Sequence, residues 1–366
     1  MQGTRLEVNL KALEHNFNYL KSQLDPGVLF MAVVKANAYG HGIIEISKKL
    51  QELGTDYFAV AYTEEAIELR DTGITKPILV LHPQSHTLVD CIQRCVEPVI
   101  YSVDMLDNIL AFAKAESQKN YPIHLEFNTG LNRIGIELEE IDQVLELLSN
   151  TDAVKVRGVQ SHLAASEDHD EREFTESQLD AFEKVTQQLE EKLGYKFLKH
   201  TDNTSGILNY KAGHHSMVRS GIGLYGYGND LEHDKHLMPV GSLKSQVSQL
   251  REVKKGASIS YNRSHKATTD MKIAVIALGH GDGINRIYGY GNAQVKINGS
   301  WAPTLGIICM DMFMVDVTDI DCKVGDEVII FDEKHTARDL AENAGTISYE
   351  LLTGIQKRVQ REYIIS

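Results

Sequence analysis

Short apolar runs alternate with amphipathic stretches through the first two-thirds of the chain. The apolar runs predict strands at Val28–Val34, Tyr57–Ala61, Pro77–Leu81, Pro98–Tyr101, Ile123–Phe127, Val154–Gln160, Phe197–His200 and Met217–Arg219. Helices are predicted between them. Leu10–Leu24 opens the set with Asn9 as N-cap. A second begins at Thr63-Glu64-Glu65, with a capping Thr, acids in its first turn and Gly73 at its end. The longest runs from Glu173 to Leu193. Strands that alternate with helices pair in parallel, because each crossover needs a helix. Eight such strands before residue 230 predict an α/β fold with an N-terminal (β/α)8 barrel over residues 1–235.

After Gly228 the pattern changes. Asn229–Pro239 is polar and reads as a linker. Strand-like runs follow at Ser245–Val253, Lys272–Leu278, Ala293–Ile297, Trp301–Ile308 and Glu327–Phe331. Turn pairs such as Gly291-Asn292 and Asn298-Gly299 separate them. This predicts a mostly antiparallel β domain over residues 236–366.

The bulk chemistry narrows the function class. The 366 residues carry 37 Lys and Arg against 51 Asp and Glu, a formal net charge of −14. Such a balance argues against a general nucleic-acid or anionic-membrane binder, though one Arg or helix N-terminus can still hold a phosphate. Cys91, Cys95, Cys309 and Cys322 form neither a zinc set nor a disulfide framework, so no metal is expected. There is no apolar run of membrane-spanning length, about 20 residues. Met1–Asn9 lacks the basic and apolar regions of a secretory signal. A cytoplasmic location is expected.

The chemistry-bearing segment is Val33-Val34-Lys35-Ala36-Asn37-Ala38-Tyr39-Gly40-His41-Gly42. An apolar strand ends in a Lys, then a loop of small residues. In a barrel this is the C-terminal mouth, where active sites sit. Desolvation there favours the neutral amine, a nucleophile toward an aldehyde. The plainer alternative is a Lys that extends to solvent.

The segment resembles the pyridoxal-phosphate attachment motif of alanine racemases. Further matches lie in the family's order: Phe127-Asn128-Thr129-Gly130-Leu131-Asn132-Arg133-Ile134-Gly135, Ser161-His162, Asp202-Asn203-Thr204, Val218-Arg219-Ser220-Gly221-Ile222, Ser260-Tyr261 and Cys309-Met310-Asp311. Together they span nearly the whole chain. The resemblance implies a fold-type III racemase that uses pyridoxal 5′-phosphate, interconverts L- and D-alanine, and supplies D-alanine for peptidoglycan. It also implies a homodimer with shared active sites.

The implied roles follow residue by residue. Lys35 is the covalent anchor of the cofactor and one catalytic base. Tyr39 contacts its phosphate. Asn203, Thr204, Gly221 and Ile222 form the phosphate cradle. His162 packs on the pyridine ring, and Arg219 faces the ring nitrogen. Arg133 meets the phenolic oxygen and the substrate carboxylate, for which its fixed fork is suited. Tyr261 is the second catalytic base. The Met310 N–H meets the substrate carboxylate, and Asp311 supports the site. Tyr261, Met310 and Asp311 come from the partner subunit. Taken singly, each has a plainer alternative: a surface ion pair for Arg133, a structural imidazole for His162, a turn or cap for Asn203-Thr204, a half-buried strand residue for Tyr261.

Three positions depart from the family pattern. Glu126 stands where many members carry a carbamylated lysine, and is expected to orient Arg133 with its own negative charge. His280 and Lys357 stand where tyrosines line the substrate gate. These two leave room for a broad-specificity racemase acting on serine, lysine or arginine. A decarboxylase of the same architecture would use a partner cysteine where Tyr261 serves a racemase. A barrel-only pyridoxal-phosphate protein would lack the residues beyond 240. Gly221-Ile-Gly223-Leu-Tyr-Gly226 fits the dinucleotide pattern GxGxxG, but no helix or βαβ unit is predicted after it.

Overall fold

The computed structural model describes residues 3–365. The chain divides into two compact units. One comprises Glu14–Ala38 and Ile43–Leu237; the other comprises Met1–Leu13, Tyr39–Gly42 and Met238–Ser366.

The first unit is an eight-stranded parallel barrel. Counting the N-terminal strand Arg5–Asn9 as β1, its strands are β2 (Leu29–Val33), β3 (Tyr57–Val60), β4 (Ile78–Val80), β5 (Glu97–Ile100), β6 (Tyr121–Glu126), β7 (Val154–Gln160), β8 (Leu198–His200) and β9 (Met217–Ser220). Each predicted strand is present. Neighbours pair in parallel in the order β8-β7-β6-β5-β4-β3-β2-β9. The ring closes between β8 and β9, where Ser216 N donates to Lys199 O at 3.3 Å and Arg219 N to Asp202 O at 3.1 Å. Helices cover the outside. Arg172–Leu193 buries Leu179, Phe182, Val185 and Leu189, one helical face at three- and four-residue spacing. The helix expected from Thr63 spans Thr63–Asp71, but Thr63 is not its cap. Glu65 supplies the acceptor instead, taking Ala61 N at 2.7 Å and Tyr62 N at 3.3 Å.

The second unit is mostly antiparallel. Its strands are β1, β10 (Gly241–Val253), the short pair β11 (Ser258–Ile259) and β12 (His265–Lys266), β13 (Met271–Ile276), β14 (Gln294–Ile297), β15 (Ser300–Leu305), β16 (Phe313–Asp316), β17 (Glu327–Phe331) and β18 (Gln360–Ile364). The main sheet runs β13-β16-β15-β14-β17-β10-β1-β18, and a β10–β13 pairing turns it back on itself. The chain's start therefore groups differently from the expected division at residues 235/236. β1 pairs antiparallel with β10 and parallel with β18, which draws Met1–Leu13 into this unit. Arg5 is buried in β1, neutralised by Glu7 at 2.7 Å and Glu327 at 2.6 Å. Asn9 caps the following helix as expected, accepting from Lys11 N at 3.0 Å and Ala12 N at 3.2 Å. Among the described residues no helix is long and apolar enough to cross a membrane.

Candidate active site

Lys35 lies two residues past the end of β2, at the C-terminal mouth of the barrel. Beyond it the backbone turns left-handed over four successive residues: Ala36, Asn37, Ala38 and Tyr39 have φ of 52°, 56°, 52° and 51°. For L-residues this conformation costs about 1–2 kcal/mol each. Hydrogen bonds offset the cost. Ala36 N donates to Glu65 Oε1 at 2.7 Å, Ala38 N to Val34 O at 2.8 Å, and Ile43 N to Asn37 Oδ1 at 3.0 Å. Glu65 thus joins the Lys35 loop to the start of the Thr63 helix. The sequence marks Glu65 only as an acid in the first turn of that helix.

Charge converges on Lys35. Burial lowers its pKa, and Arg133 and Arg219 lower it further, while Glu65 and Glu126 oppose them. The free amine is thereby favoured, the form a nucleophile needs.

Arg219, in β9, is buried and held from several sides. Nη1 donates to His200 Nδ1 at 2.8 Å and His200 O at 2.7 Å. Nη2 donates to Ser161 O at 2.8 Å, Thr201 O at 2.9 Å and His162 Nδ1 at 3.2 Å. Among the described residues Nε has no such partner. Burial brings the pKa of Arg219 down to about 10, with Glu126 and Asp202 opposing, so it remains a cation at neutral pH. His162 sits in that field. Burial first, then Arg219, Arg133 and Lys35, push its pKa far below the usual value. Its imidazole is neutral, with Nδ1 accepting from Arg219.

Glu126 ends β6 and is buried. Burial raises its pKa; Gln160, Arg219, Arg133 and Lys35 pull it back. Its hydrogen bond comes from Gln160 Nε2 at 2.6 Å, and Arg133 acts on it through charge. Arg133 itself lies exposed on a loop that folds back on β6, through Asn128 N to Ile136 O at 2.9 Å and Ile136 N to Glu126 O at 2.8 Å. Gly135, at φ 132°, permits the fold-back, since a Cβ there would stand 2.6 Å from Asn128 N. Gln178, reaching in from the long helix, props two loops at once. It donates to Thr129 Oγ1 at 3.3 Å and His162 O at 3.2 Å, and accepts from Ala164 N at 2.9 Å.

The residues expected to cradle an anion assemble on the same mouth. Thr204 Oγ1 and Ser220 Oγ are 3.0 Å apart, and Gly223 N donates to Thr204 Oγ1 at 3.2 Å. Asn203 caps the short helix Thr204–Asn209, accepting from Gly206 N at 2.9 Å, and is steadied by Ser166 Oγ at 2.8 Å. Gly221 and Ile222 lead from β9 into a second helical turn.

Four expected site residues belong to the other unit. Tyr39 is buried with its ring 6.0 Å from that of Tyr349, and burial raises its pKa. Tyr261 begins a short turn, exposed, after Ser260 at φ 70°. Ser260 Oγ donates to Ile307 O at 2.9 Å, which ties that turn to the segment leading into Met310. Met310 is exposed in a tight turn closed by Cys309 N to Met312 O at 2.9 Å. Arg358 clamps the turn, donating to Asp311 Oδ1 at 2.9 Å and to Asp282 Oδ1 at 2.7 Å. His280 and Lys357 are exposed.

The profile described as alanine racemase, N-terminal domain, matches residues 8–229, and that for alanine racemase, C-terminal domain, matches residues 240–363. The chain is 36% identical to alanine racemase 2 of Caldanaerobacter subterraneus, over 100% of this chain and 95% of that one. It is similar to the alanine racemase structure from Clostridium difficile, with TM-score 0.92 and 34% identity over 100% of this chain and 97% of that one. The alanine racemase structure from Bartonella henselae, which has covalently bound pyridoxal phosphate, gives TM-score 0.90 and 28% identity, each chain covered fully (100%).

Proposed function

This chain belongs to the alanine racemase family, and on that premise we propose that it interconverts L- and D-alanine with pyridoxal 5′-phosphate held at the barrel mouth. The observation that carries this reading is the half-buried Lys35 amine at the barrel mouth, drawn toward its neutral form by burial and by the charges of Arg133 and Arg219.

The donors of the barrel fit that cofactor. Lys35 would anchor it covalently. Thr204, Ser220 and the main chain at Gly221 and Ile222 would hold the phosphate, with Asn203 and Tyr39 as further contacts. His162 would lie against the ring. The Arg219 Nε–H, which has no partner among the described residues, suits a ring nitrogen acceptor. Because Arg219 stays charged, it would donate to that nitrogen and keep it unprotonated. When bound, the cofactor takes up the amino group of alanine and acidifies its Cα–H.

The chain's residues supply the rest. Arg133 and the Met310 N–H of the partner subunit would orient the substrate carboxylate. Racemisation takes a proton from one face of Cα and returns one to the other, so two acid/base groups must flank it. Lys35 Nζ serves one face. Tyr261 of the partner subunit serves the other, which makes the active unit a homodimer. The product would supply peptidoglycan synthesis in the cytoplasm. A broader specificity is the second reading, favoured by the polar His280 and Lys357 at the positions of the family's gate tyrosines.

The test is chiral analysis of products from L-alanine, L-serine, L-lysine and L-arginine. D-Alanine as the dominant product supports the proposal. Faster turnover of a longer substrate selects the second reading, and no D-amino acid from any of them overturns both.

A further inference from the structure

Three buried groups outside the cofactor shell line up behind Arg219. Its Nη1 donates to His200 Nδ1 at 2.8 Å; His200 Nε2 lies 2.9 Å from His124 Nδ1; His124 Nε2 lies 2.9 Å from Glu97 Oε2. Both imidazoles are fully buried. The path crosses the barrel from β9 to the first residue of β5, through the last residue of β8 and the middle of β6. Gly158 of β7 makes room for it, because a Cβ there would overlap the His124 ring.

A guanidinium has no acceptor, and this fixes every proton in the path. His200 Nδ1 must accept, so its proton is on Nε2. That proton goes to His124 Nδ1, which must then be bare, so His124 carries its proton on Nε2. Glu97 accepts that proton's hydrogen bond. The direction is single, with a cation at one end, a carboxylate at the other, and two neutral imidazole dipoles aligned between them.

We propose that Glu97 and His124 are positioning residues for the racemase reaction, acting through His200 to fix the direction and charge environment of the Arg219 guanidinium. The inference rests on the reading of Arg219 as the group that faces the cofactor's ring nitrogen. The path moves no proton, since its Arg219 end cannot accept one. It holds the Nη edge so that Nε points in one direction, and it places a remote negative charge behind a buried positive one.

The test begins with the unsubstituted holoenzyme labelled with 15N-histidine. Both His124 and His200 should show a bare Nδ1 and a protonated Nε2 at pH 7.5. A proton on Nδ1 of either ring overturns the proposal, and this readout needs no turnover. Glu97→Gln keeps an acceptor but removes the charge. It should shift the His200 resonances, alter the absorbance of bound cofactor, and lower kcat about tenfold with KM unchanged, as for one weakened charge-assisted hydrogen bond. Unmoved His200 resonances with wild-type kcat overturn it. If D-alanine never forms while the tautomers stand as stated, it is the racemase reading that has failed instead.

Discussion

Gln160 Nε2 donates to Glu126 Oε2 at 2.6 Å, and the two residues face each other across paired strands β6 and β7. The carboxylate expected to grip Arg133 is thus held by a neutral amide. It stays within the field of Lys35, Arg133 and Arg219. Its contribution to the site is negative charge in a cationic cluster more than a direct clasp. Glu126→Gln removes that charge and keeps the shape. Its kcat/KM for alanine should fall about tenfold, the size of a charge-assisted interaction. Wild-type kinetics would refute the role.

Glu65 bonds the first left-handed residue, Ala36, and two amides at the head of the Thr63 helix. Glu65→Ala leaves all three donors without this acceptor and the strained turn without its latch. A loss of about 2–4 kcal/mol is expected, with weakened retention of pyridoxal phosphate. Thermal unfolding and cofactor dissociation would measure both, and unchanged values would show that the turn stands without the latch.

Asp202 is buried, and burial raises its pKa to about 8 from 3.8, against the pull of Arg219 and Thr201. Between these values the unfolded chain has released the proton while the folded chain keeps it. Stability is therefore present at low pH and is lost as pH rises from about 4 to about 8. Asp202→Asn cannot ionise. Its stability relative to wild type should increase by more than ~1 kcal/mol between pH 5 and pH 8. Parallel unfolding curves at the two pH values would show it, and a difference independent of pH would contradict it.

Arg219→Lys replaces a planar fork with one ammonium. A lysine carries only three donors, whereas Arg219 reaches five acceptors through its two Nη atoms. About 3 kcal/mol of stability should be lost, and the absorbance of bound cofactor should change. An unaltered melting temperature and spectrum would count against the structural role.

The barrel strands were legible because β2, β3 and β4 are apolar runs, the signature of a sheet buried on both faces, and the others, such as β7 with its exposed Lys155 and Arg157, still carry apolar positions between helical stretches. β1 and β18 were not. Both are short, carry charges such as Arg5, Glu7, Arg361 and Glu362, and find each other only across the whole length of the chain. β16, only four residues long, is too short a run to stand out beside the Met310 turn that precedes it. The residues expected to meet the cofactor were named through family resemblance, whereas the groups that support them were not. Gln160, Gln178 and the His200–His124–Glu97 path act through contacts between separate elements that no local spacing encodes, as does the bond from Ala36 N to Glu65. The left-handed turn was equally silent, since Ala36, Asn37 and Ala38 are not glycines.

The two-base exchange at Cα is tested most directly by L-alanine in deuterium oxide, sampled at low conversion. The account predicts D-alanine carrying deuterium at Cα while the remaining L-alanine stays largely unlabelled. D-Alanine that retains the original proton, or L-alanine that takes up deuterium as fast as product forms, would contradict it.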